Sequence, residues 1–169
     1  MRASRLVKRI FVSAALVLSV SCASVPMAPP EQDAASKTFA APPPDQAGLY
    51  VYRDSSFGAA LTKDLFLDGL LVGPTAAKVF YRRLIAPGEH TLSTESEFGD
   101  NALTFTAEAG KNHFFRQFVK VGVFVGGAGL EAVSEEAGRK GVLACKEALG
   151  VASPASTDGS PPEGPPPSP

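Results

Sequence analysis

Between residues 47 and 150 the hydrophobic positions mostly recur at every second residue, which is the period of a half-buried β-strand. The clearest case is 103–107, where Leu103, Phe105 and Ala107 alternate with polar residues. Turn residues separate such runs, and no helical pattern lies between them. The sequence therefore predicts a mainly β fold, an antiparallel β-sandwich or open barrel, and disfavours a parallel sheet. The other predicted strands are 49–53, 65–67, 70–72, 79–84, 90–94 and 113–121.

Two further local signals refine this picture. Asp68-Gly69 lies between two apolar runs and predicts a two-residue hairpin turn of type I′. Near the C-terminus the period changes: Ser134 is a good N-cap for a helix whose first turn is acidic and which would end at Gly150. Its small-residue stripe (Ala137, Gly141, Ala144, Ala148) would allow close packing on the sheet and would place Cys145 on the buried side, as an inert thiol.

The N-terminus has the three parts of a secretory signal peptide, residues 1–21. Four basic residues precede the apolar stretch Ile10–Val20, which is too short to span a bilayer. The following Ser19-Val20-Ser21-Cys22 resembles a bacterial lipobox, although Ser19 occupies the usual leucine position. The resemblance implies that Cys22 becomes the first mature residue and carries acyl groups that anchor the chain to a membrane. The alternative is a plain secretory peptide that is cut near Ala23.

Location follows from the same region. Because Ala23, and not Asp, follows Cys22, sorting rules for Gram-negative lipoproteins imply the periplasmic face of the outer membrane. The inner membrane and a soluble secreted form are the alternatives. Residues 22–46 are rich in Pro and Ala and predict an extended spacer, which would reach roughly 75 Å if fully stretched. Residues 151–169 predict a disordered Pro-rich tail.

The charge of the chain limits the classes of partner that it can bind, and its cysteine content limits the disulfides that it can form. Without residues 1–21 the chain carries twelve basic and seventeen acidic residues, a net charge of −5. This balance gives no electrostatic footprint for nucleic acid, and the sequence shows no polybasic patch for anionic lipid. With Cys22 acylated, Cys145 is left without an intramolecular partner for a disulfide.

Two segments carry a family resemblance. The run from Asp68-Gly69 to Ala86-Pro87-Gly88-Glu89-His90 resembles the PEGA-type β-sandwich signature, a hairpin followed by a PGEH turn. More closely, residues 47–149 resemble the bacterial lipoprotein family known as domain of unknown function 2846, through 48–53, 110–112, 115–117 and the helix containing Glu135. The resemblance implies a small β-sandwich in the cell envelope. It implies no activity and no functional residues.

Catalytic and cofactor patterns are weak. The two histidines, His90 and His113, lack metal-ligand spacing, and the acidic residues near Glu95 and Glu97 lack the form of a calcium loop. A glycine pattern at Gly127 lacks the βαβ context of a dinucleotide site. The sequence therefore predicts no enzyme, no metal and no cofactor.

Four residues are candidates for partner contacts. Phe57 and Phe98 lie in predicted loops, where exposed aromatic side chains are available for binding or fold back onto the core. Gly126 and Gly127 lie in the apolar stretch 121–133, which is interpreted either as a glycine-rich strand and loop beneath the last helix or as a self-association segment.

Together these features predict an envelope lipoprotein whose sandwich is a non-catalytic binding or structural module. Envelope proteins or polymers are its expected partners. The alternative is a small-ligand carrier or a hydrolase-like enzyme. It would have a pocket at one end of the sandwich that uses His90, Arg116 or the pair Glu95 and Glu97.

Overall fold

The computed structural model describes residues 24–95, 101–120 and 127–151. The predicted strands are confirmed, most of them with ends that differ by one to three residues. The elements of the described chain are α1 (Pro30–Ser36), β1 (Ala47–Arg53), β2 (Lys63–Leu67), β3 (Leu70–Thr75), β4 (Val79–Ile85), β5 (Gly88–Thr94), β6 (Ala102–Ala107), β7 (Asn112–Lys120), β8 (Gly127–Val133), α2 (Glu135–Leu143) and β9 (Lys146–Glu147).

The strands form two sheets, so the mainly β sandwich is confirmed. The first sheet has the order β8-β7-β1-β4-β9, and the second has the order β3-β2-β5-β6. Asp68 and Gly69 join β2 to β3 with φ angles of 51° and 77°. Positive φ at both positions is what a type I′ turn requires, which agrees with the predicted hairpin.

The first sheet is mixed, and the expectation of a purely antiparallel sandwich was wrong on this point. β1 runs parallel to β7, and β4 runs parallel to β9. A parallel pair needs a long crossover, which is most often a helix. Here the chain between β1 and β7 consists of β4 and the four strands of the second sheet, so the lack of a helical pattern did not exclude parallel pairs.

β1 is the central strand of the first sheet and is buried along its whole length. Because side chains alternate, Leu49 and Val51 face the second sheet, whereas Tyr50 and Tyr52 belong to a separate cluster. The core between the sheets is completed by buried residues from both of them, including Leu65, Leu92, Tyr81 and Phe115.

The second cluster lies between the first sheet and the helices, so the domain has three layers. Tyr50, Tyr52, Phe80 and Phe114 pack there with Val142 of α2 and with Phe39. The predicted N-cap is confirmed, because the Ser134 hydroxyl accepts a hydrogen bond from the Ala137 amide at 3.3 Å.

The last helix is shorter than the sequence analysis predicted, because α2 ends at Leu143 and not at Gly150. The residues that α2 buries are Gly138, Gly141 and Val142, whereas Ala137 and Ala144 are exposed. After the helix the chain becomes an edge strand, since the amides of Lys146 and Ala148 donate to the carbonyls of Lys78 and Phe80 along β4. These hydrogen bonds at the open edge of the sheet outweigh local helix propensity.

The predicted spacer is instead part of the domain. Val25 is 7% exposed within the core between the sheets, and Phe39 is 8% exposed beneath α2. The amide of Leu149 donates to the Pro26 carbonyl at 2.8 Å, and the amide of Ala28 donates to the Glu147 carbonyl at 3.0 Å. Only the prolines of this segment lack an N–H donor, so its carbonyl groups and the amide of Ala28 can still pair with the edge of a sheet.

Within the part of the chain that the structure describes, no helix is long and apolar enough to cross a membrane.

Candidate functional site

An open groove of about 550 Å³ lies where three segments meet. The N-terminal segment contributes Ser24, Val25 and Met27. The turn between β3 and β4, with the start of β4, contributes residues 76–79. The last residue of α2 and the chain that leads into β9 contribute residues 143–146, and Lys37 lines the remaining side. The groove is therefore built from parts that are far apart in the sequence.

The backbone holds Lys78 and Lys146 together at this groove. Lys78 has a φ of 61°, a left-handed conformation that is uncommon for a residue with a side chain. Its amide donates to the Arg53 carbonyl at 2.8 Å, and its own carbonyl accepts from the Lys146 amide at 2.9 Å. These two bonds fix the turn, so both lysine side chains start from defined positions on one surface.

The groove has a basic lining. Lys37, Lys78 and Lys146 contribute to it, and none of its described lining residues is acidic. Lys37 is partly neutralised, since its Nζ lies 2.7 Å from Asp33 and 5.6 Å from the centre of the Phe80 ring. Lys78 and Lys146 are exposed and take no part in the salt bridges of the described residues. Within the described ranges, the ammonium groups of Lys78 and Lys146 beside the groove therefore have no carboxylate within salt-bridge distance.

Two large apolar side chains in the same lining are open to solvent. Met27 is 44% exposed and Leu143 is 59% exposed. Isolated exposed apolar residues are common on protein surfaces, but here they share one concave face with three lysines. This face combines apolar area with positive charge, which suits an amphipathic, anionic contact.

Cys145 lies at the base of the groove but is chemically inert. Its side chain is 3% exposed, and its thiol donates to the Arg53 carbonyl at 3.6 Å. Burial, reinforced by the negative charge of Asp54, raises the pKa of the thiol to about 12. Since the thiolate is the reactive form, this finding agrees with the expectation from the sequence.

A second, smaller depression of about 300 Å³ lies beside α2. It contains Lys111 and Arg139, but each of these cations already has a carboxylate partner. Lys111 pairs with Glu108, and Arg139 pairs with Glu135, both at 2.5 Å. Its charges are therefore satisfied internally, unlike those of the larger groove.

The residues of the alternative, enzyme-like hypothesis do not converge. His90 lies near the start of β5, and Glu95 lies just beyond its end, roughly 17 Å away along the strand. Arg116 belongs to the other sheet, where it bridges Asp54 at 2.9 Å and Glu131 at 3.2 Å. Glu97 lies outside the described residues. Among the described residues, no group of three or more His, Cys, Asp or Glu side chains is placed to hold a metal ion.

Both histidines instead support local structure. The Nδ1 atom of His90 lies 2.6 Å from Asp68, and its Nε2 atom lies 2.8 Å from the Ala86 carbonyl. Burial by itself would lower the pKa of His90, but the bonds to Asp68 and Ala86 outweigh it and raise the pKa above its usual value. His113 accepts a hydrogen bond from the Glu108 amide at 2.9 Å.

Of the four residues predicted to contact a partner, the structure describes two, and these two differ in exposure. Phe57 is 58% exposed in the loop between β1 and β2, whereas Gly127 is buried at the start of β8. The strand that begins at Gly127 is an edge strand paired with β7. Phe98 and Gly126 lie outside the described residues, as does the predicted lipid site Cys22.

Sequence reasoning missed the residue that shapes the loop of Phe57. Arg53 is 1% exposed, and its guanidinium donates to the carbonyls of Leu61, Phe57 and Gly58. The side chain thereby ties the β1–β2 loop to the end of β1. In the sequence Arg53 is only the last residue of a strand, and nothing in its neighbours indicates that three carbonyls converge on it.

Comparison with known proteins identifies the family. A family model described as "Protein of unknown function (DUF2846)" matches residues 43–128, about half of the chain. The chain belongs to this family. The matched region runs from just before β1 to the start of β8, so it covers the second sheet and most of the first, and it ends before α2 and β9. It is shorter than the 47–149 expected from the sequence, and the PEGA-type resemblance remains an expectation.

A relative from Haemophilus influenzae extends beyond that region. This uncharacterized protein is 48% identical to the chain over 140 residues, which is 80% of this chain and 83% of the relative. No solved structure matches the chain.

Proposed function

We propose that this member of the family is a bacterial envelope lipoprotein, anchored through acyl groups on Cys22, with a non-catalytic binding or structural domain. The observation that carries the proposal is the order of features at the N-terminus. A basic and apolar leader runs to Cys22, and two residues later Ser24 already lines a groove of the folded domain. A chain that becomes part of the fold so soon after the cysteine suits an anchor at that point.

The anchor is tested by intact mass. Protein extracted from membranes should have a mature mass that begins at Cys22 and includes a diacylglyceryl group and a further acyl chain. The Cys22→Ala variant should lose both the acyl mass and the membrane fraction. An unacylated wild-type chain that begins near Ala23 would contradict the anchor.

The filled interior supports a surface binder over a carrier. Large side chains such as Tyr81, Phe115 and Leu65 occupy the space between the sheets. The larger groove is open to solvent and lies at the edge of the domain, where the N-terminal segment and α2 meet. Ligands of a carrier are usually enclosed by their pocket, whereas this geometry presents surfaces.

The binding role is tested in cells by site-specific photo-crosslinking. The aromatic ring of Phe57 is the described candidate contact, so a photoreactive residue at position 57 should yield a discrete crosslinked species. The same residue at Leu84, which is 44% exposed on β4, is the control. Equal or absent crosslinking at both positions, in repeated envelope preparations, would count against Phe57 as a contact.

The small-ligand alternative draws support from the volume of the groove, about 550 Å³, which is within the range of ligand sites. Native mass spectrometry of the protein purified without detergent distinguishes the two. A co-purified small molecule that is lost on substitution of groove residues would favour the carrier.

A further inference from the structure

We propose that the groove face rests directly on anionic phospholipid headgroups of the membrane that holds the anchor. Lys78 and Lys146, the two exposed lysines of the groove, would contact the headgroup phosphates, and Met27 and Leu143 would reach the boundary of the acyl chains. This inference rests on the acylation of Cys22 proposed above. The sequence predicted a spacer that would hold the domain at a distance from the membrane. In the present proposal the domain instead lies on the membrane in one orientation.

The length of chain between the anchor and the fold carries the first step. Two peptide units separate Cys22 from Ser24, and they span at most roughly 7 Å between the two Cα atoms. Ser24 itself lines the groove. With Cys22 acylated, the groove therefore lies within about that distance of the headgroups, whatever path the two residues take.

Charge supplies the second step. The mature chain carries a net charge of −5, so an anionic membrane repels most of its surface. No described residue of the groove lining is acidic, and of its three lysines Lys37 is paired with Asp33, which leaves Lys78 and Lys146 to interact with the membrane. Each lysine held near an anionic bilayer multiplies the preference for that contact about fivefold. The groove face is thus favoured over other faces of the same domain.

Shape and hydrophobicity supply the third step. Met27 and Leu143 are about half exposed and lie on the same face as the lysines. A surface that lies in the membrane interface places apolar side chains at the acyl boundary and lysine ammonium groups at the phosphates. The arrangement of this face matches both requirements at once.

The composition of the chain provides a clean probe, because it contains no tryptophan. A single tryptophan at Leu143 would report contact between the groove and lipid. A single tryptophan at Leu70, which is 53% exposed beside the β2–β3 turn, is the matched control. Leu70 lies at the opposite end of β3 from the turn that contributes Lys78 to the groove.

The experiment is independent of cellular acylation. The mature chain is coupled through the Cys22 thiol to a maleimide phospholipid in vesicles of phosphatidylethanolamine and phosphatidylglycerol. The reaction is specific for Cys22, because the thiol of Cys145 is buried. With brominated acyl chains, the Leu143→Trp variant should be quenched and blue-shifted, and the Leu70→Trp variant should not. Equal quenching of both, or stronger quenching at position 70, would overturn the proposal. Failure of acylation in cells alone would overturn only the anchor.

Charge variants separate phospholipid contact from crowding by the tether. In the Leu143→Trp background, the double variant Lys78→Gln with Lys146→Gln should lower about 25-fold the ratio of domains whose groove faces the membrane, where the tryptophan is quenched, to domains in other orientations. Lys111→Gln with Lys120→Gln removes the same charge from exposed positions outside the groove and should leave quenching unchanged. In vesicles of phosphatidylcholine alone, which carry no net negative charge, Lys78→Gln with Lys146→Gln should no longer change the quenching. Equal effects of the two pairs would contradict a role for the groove lysines.

Discussion

The amide of Lys146 donates a hydrogen bond to the carbonyl of Lys78 at 2.9 Å, and this bond joins the chain beyond α2 to the turn before β4. It starts the parallel pairing of β9 with β4. The next residues of that edge then bind the N-terminal segment through Pro26 and Ala28. A single edge of the first sheet therefore assembles the groove and incorporates the N-terminal segment that contains Pro26 and Ala28.

Close packing of α2 on the sheet depends on glycine at position 141. A Cβ atom there would overlap the ring of Tyr52. We expect Gly141→Ala to lower the free energy of unfolding by about 1–3 kcal/mol, although alanine favours an isolated helix by ~1 kcal/mol. Urea unfolding measures the change. Lys140→Ala, at an exposed position of the same helix, is the control and should change stability by less than ~0.5 kcal/mol.

Gln117 joins the two sheets inside the core. Its side chain is 1% exposed, its Nε2 donates to the Thr94 hydroxyl at 2.7 Å, and its Oε1 accepts from Thr75. The Thr94 hydroxyl in turn donates to the Asp64 carbonyl, and the single hydrogen of the Thr75 hydroxyl is shared between Gln117 and the Lys63 carbonyl.

Two substitutions at Gln117 should therefore differ in stability. Gln117→Leu leaves the threonines bonded to those carbonyls, so the expected loss is about 1 kcal/mol. Gln117→Glu buries a charge at neutral pH and should lose roughly 3 kcal/mol, with partial recovery in acid as the carboxyl is protonated. Equal losses for the two variants in urea unfolding at pH 7 would contradict this description of the network.

The Asp68–His90 pair predicts a pH dependence. Bonds to Asp68 and Ala86 raise the pKa of His90 despite its burial, so its contribution to stability is full below the usual histidine value and declines as the pH rises. Burial by itself would raise the pKa of Asp68, but hydrogen bonds from Thr91 and His90 outweigh it and lower this pKa. The contribution of Asp68 to the stability of the fold therefore declines in acid. The pair should therefore stabilise the fold most between about pH 4 and pH 6.5.

The Asp68→Asn variant tests this window. Asparagine tolerates the positive φ of the turn and still accepts from the Thr91 amide, so chiefly the charge is lost. Because Asp68 is 45% exposed, the loss near pH 5 should be under ~1 kcal/mol, and it should shrink by pH 8. A difference between variant and wild type that stays constant across this range would exclude the ion pair as its source.

The inertness of Cys145 has a direct kinetic consequence. A pKa of about 12 in place of 9.0 lowers the thiolate fraction near pH 8 by about a thousandfold. In the Cys22→Ser chain, where Cys145 is the remaining thiol, labelling with a disulfide reagent should be slow in the native state and fast in urea. Rapid native labelling would show that the base of the groove opens.

Local patterns predicted those parts of the fold that depend on local interactions. The alternation of Leu103, Phe105 and Ala107 predicted β6. Gly69, which adopts a positive φ readily, predicted the hairpin turn, and Ser134 predicted the start of α2. These signals work because period, turn geometry and capping involve residues within a few positions of one another.

The groove could not be predicted in the same way. Its lysines come from three separate segments, and only the pairing of β9 with β4 brings Lys146 beside Lys78. The segment resembles a spacer in sequence because it is rich in Pro and Ala and has no hydrophobic period, yet Val25 is buried in the core. The end of α2 was misplaced because the open edge of β4 offers hydrogen bonds that the sequence does not reveal.

The central claim is that the proline-rich segment from Ser24 onward is part of the folded domain and is not a free spacer. The most direct test is amide hydrogen exchange of Ala28 and Leu149 in the chain from Cys22 onward, since these two amides form hydrogen bonds between the N-terminal segment and the C-terminal edge strand. We expect both to exchange at least about a hundredfold more slowly than in an unfolded chain, with similar protection. Exchange of Ala28 at the unfolded rate, with β1 still protected, would show a free spacer and contradict the account.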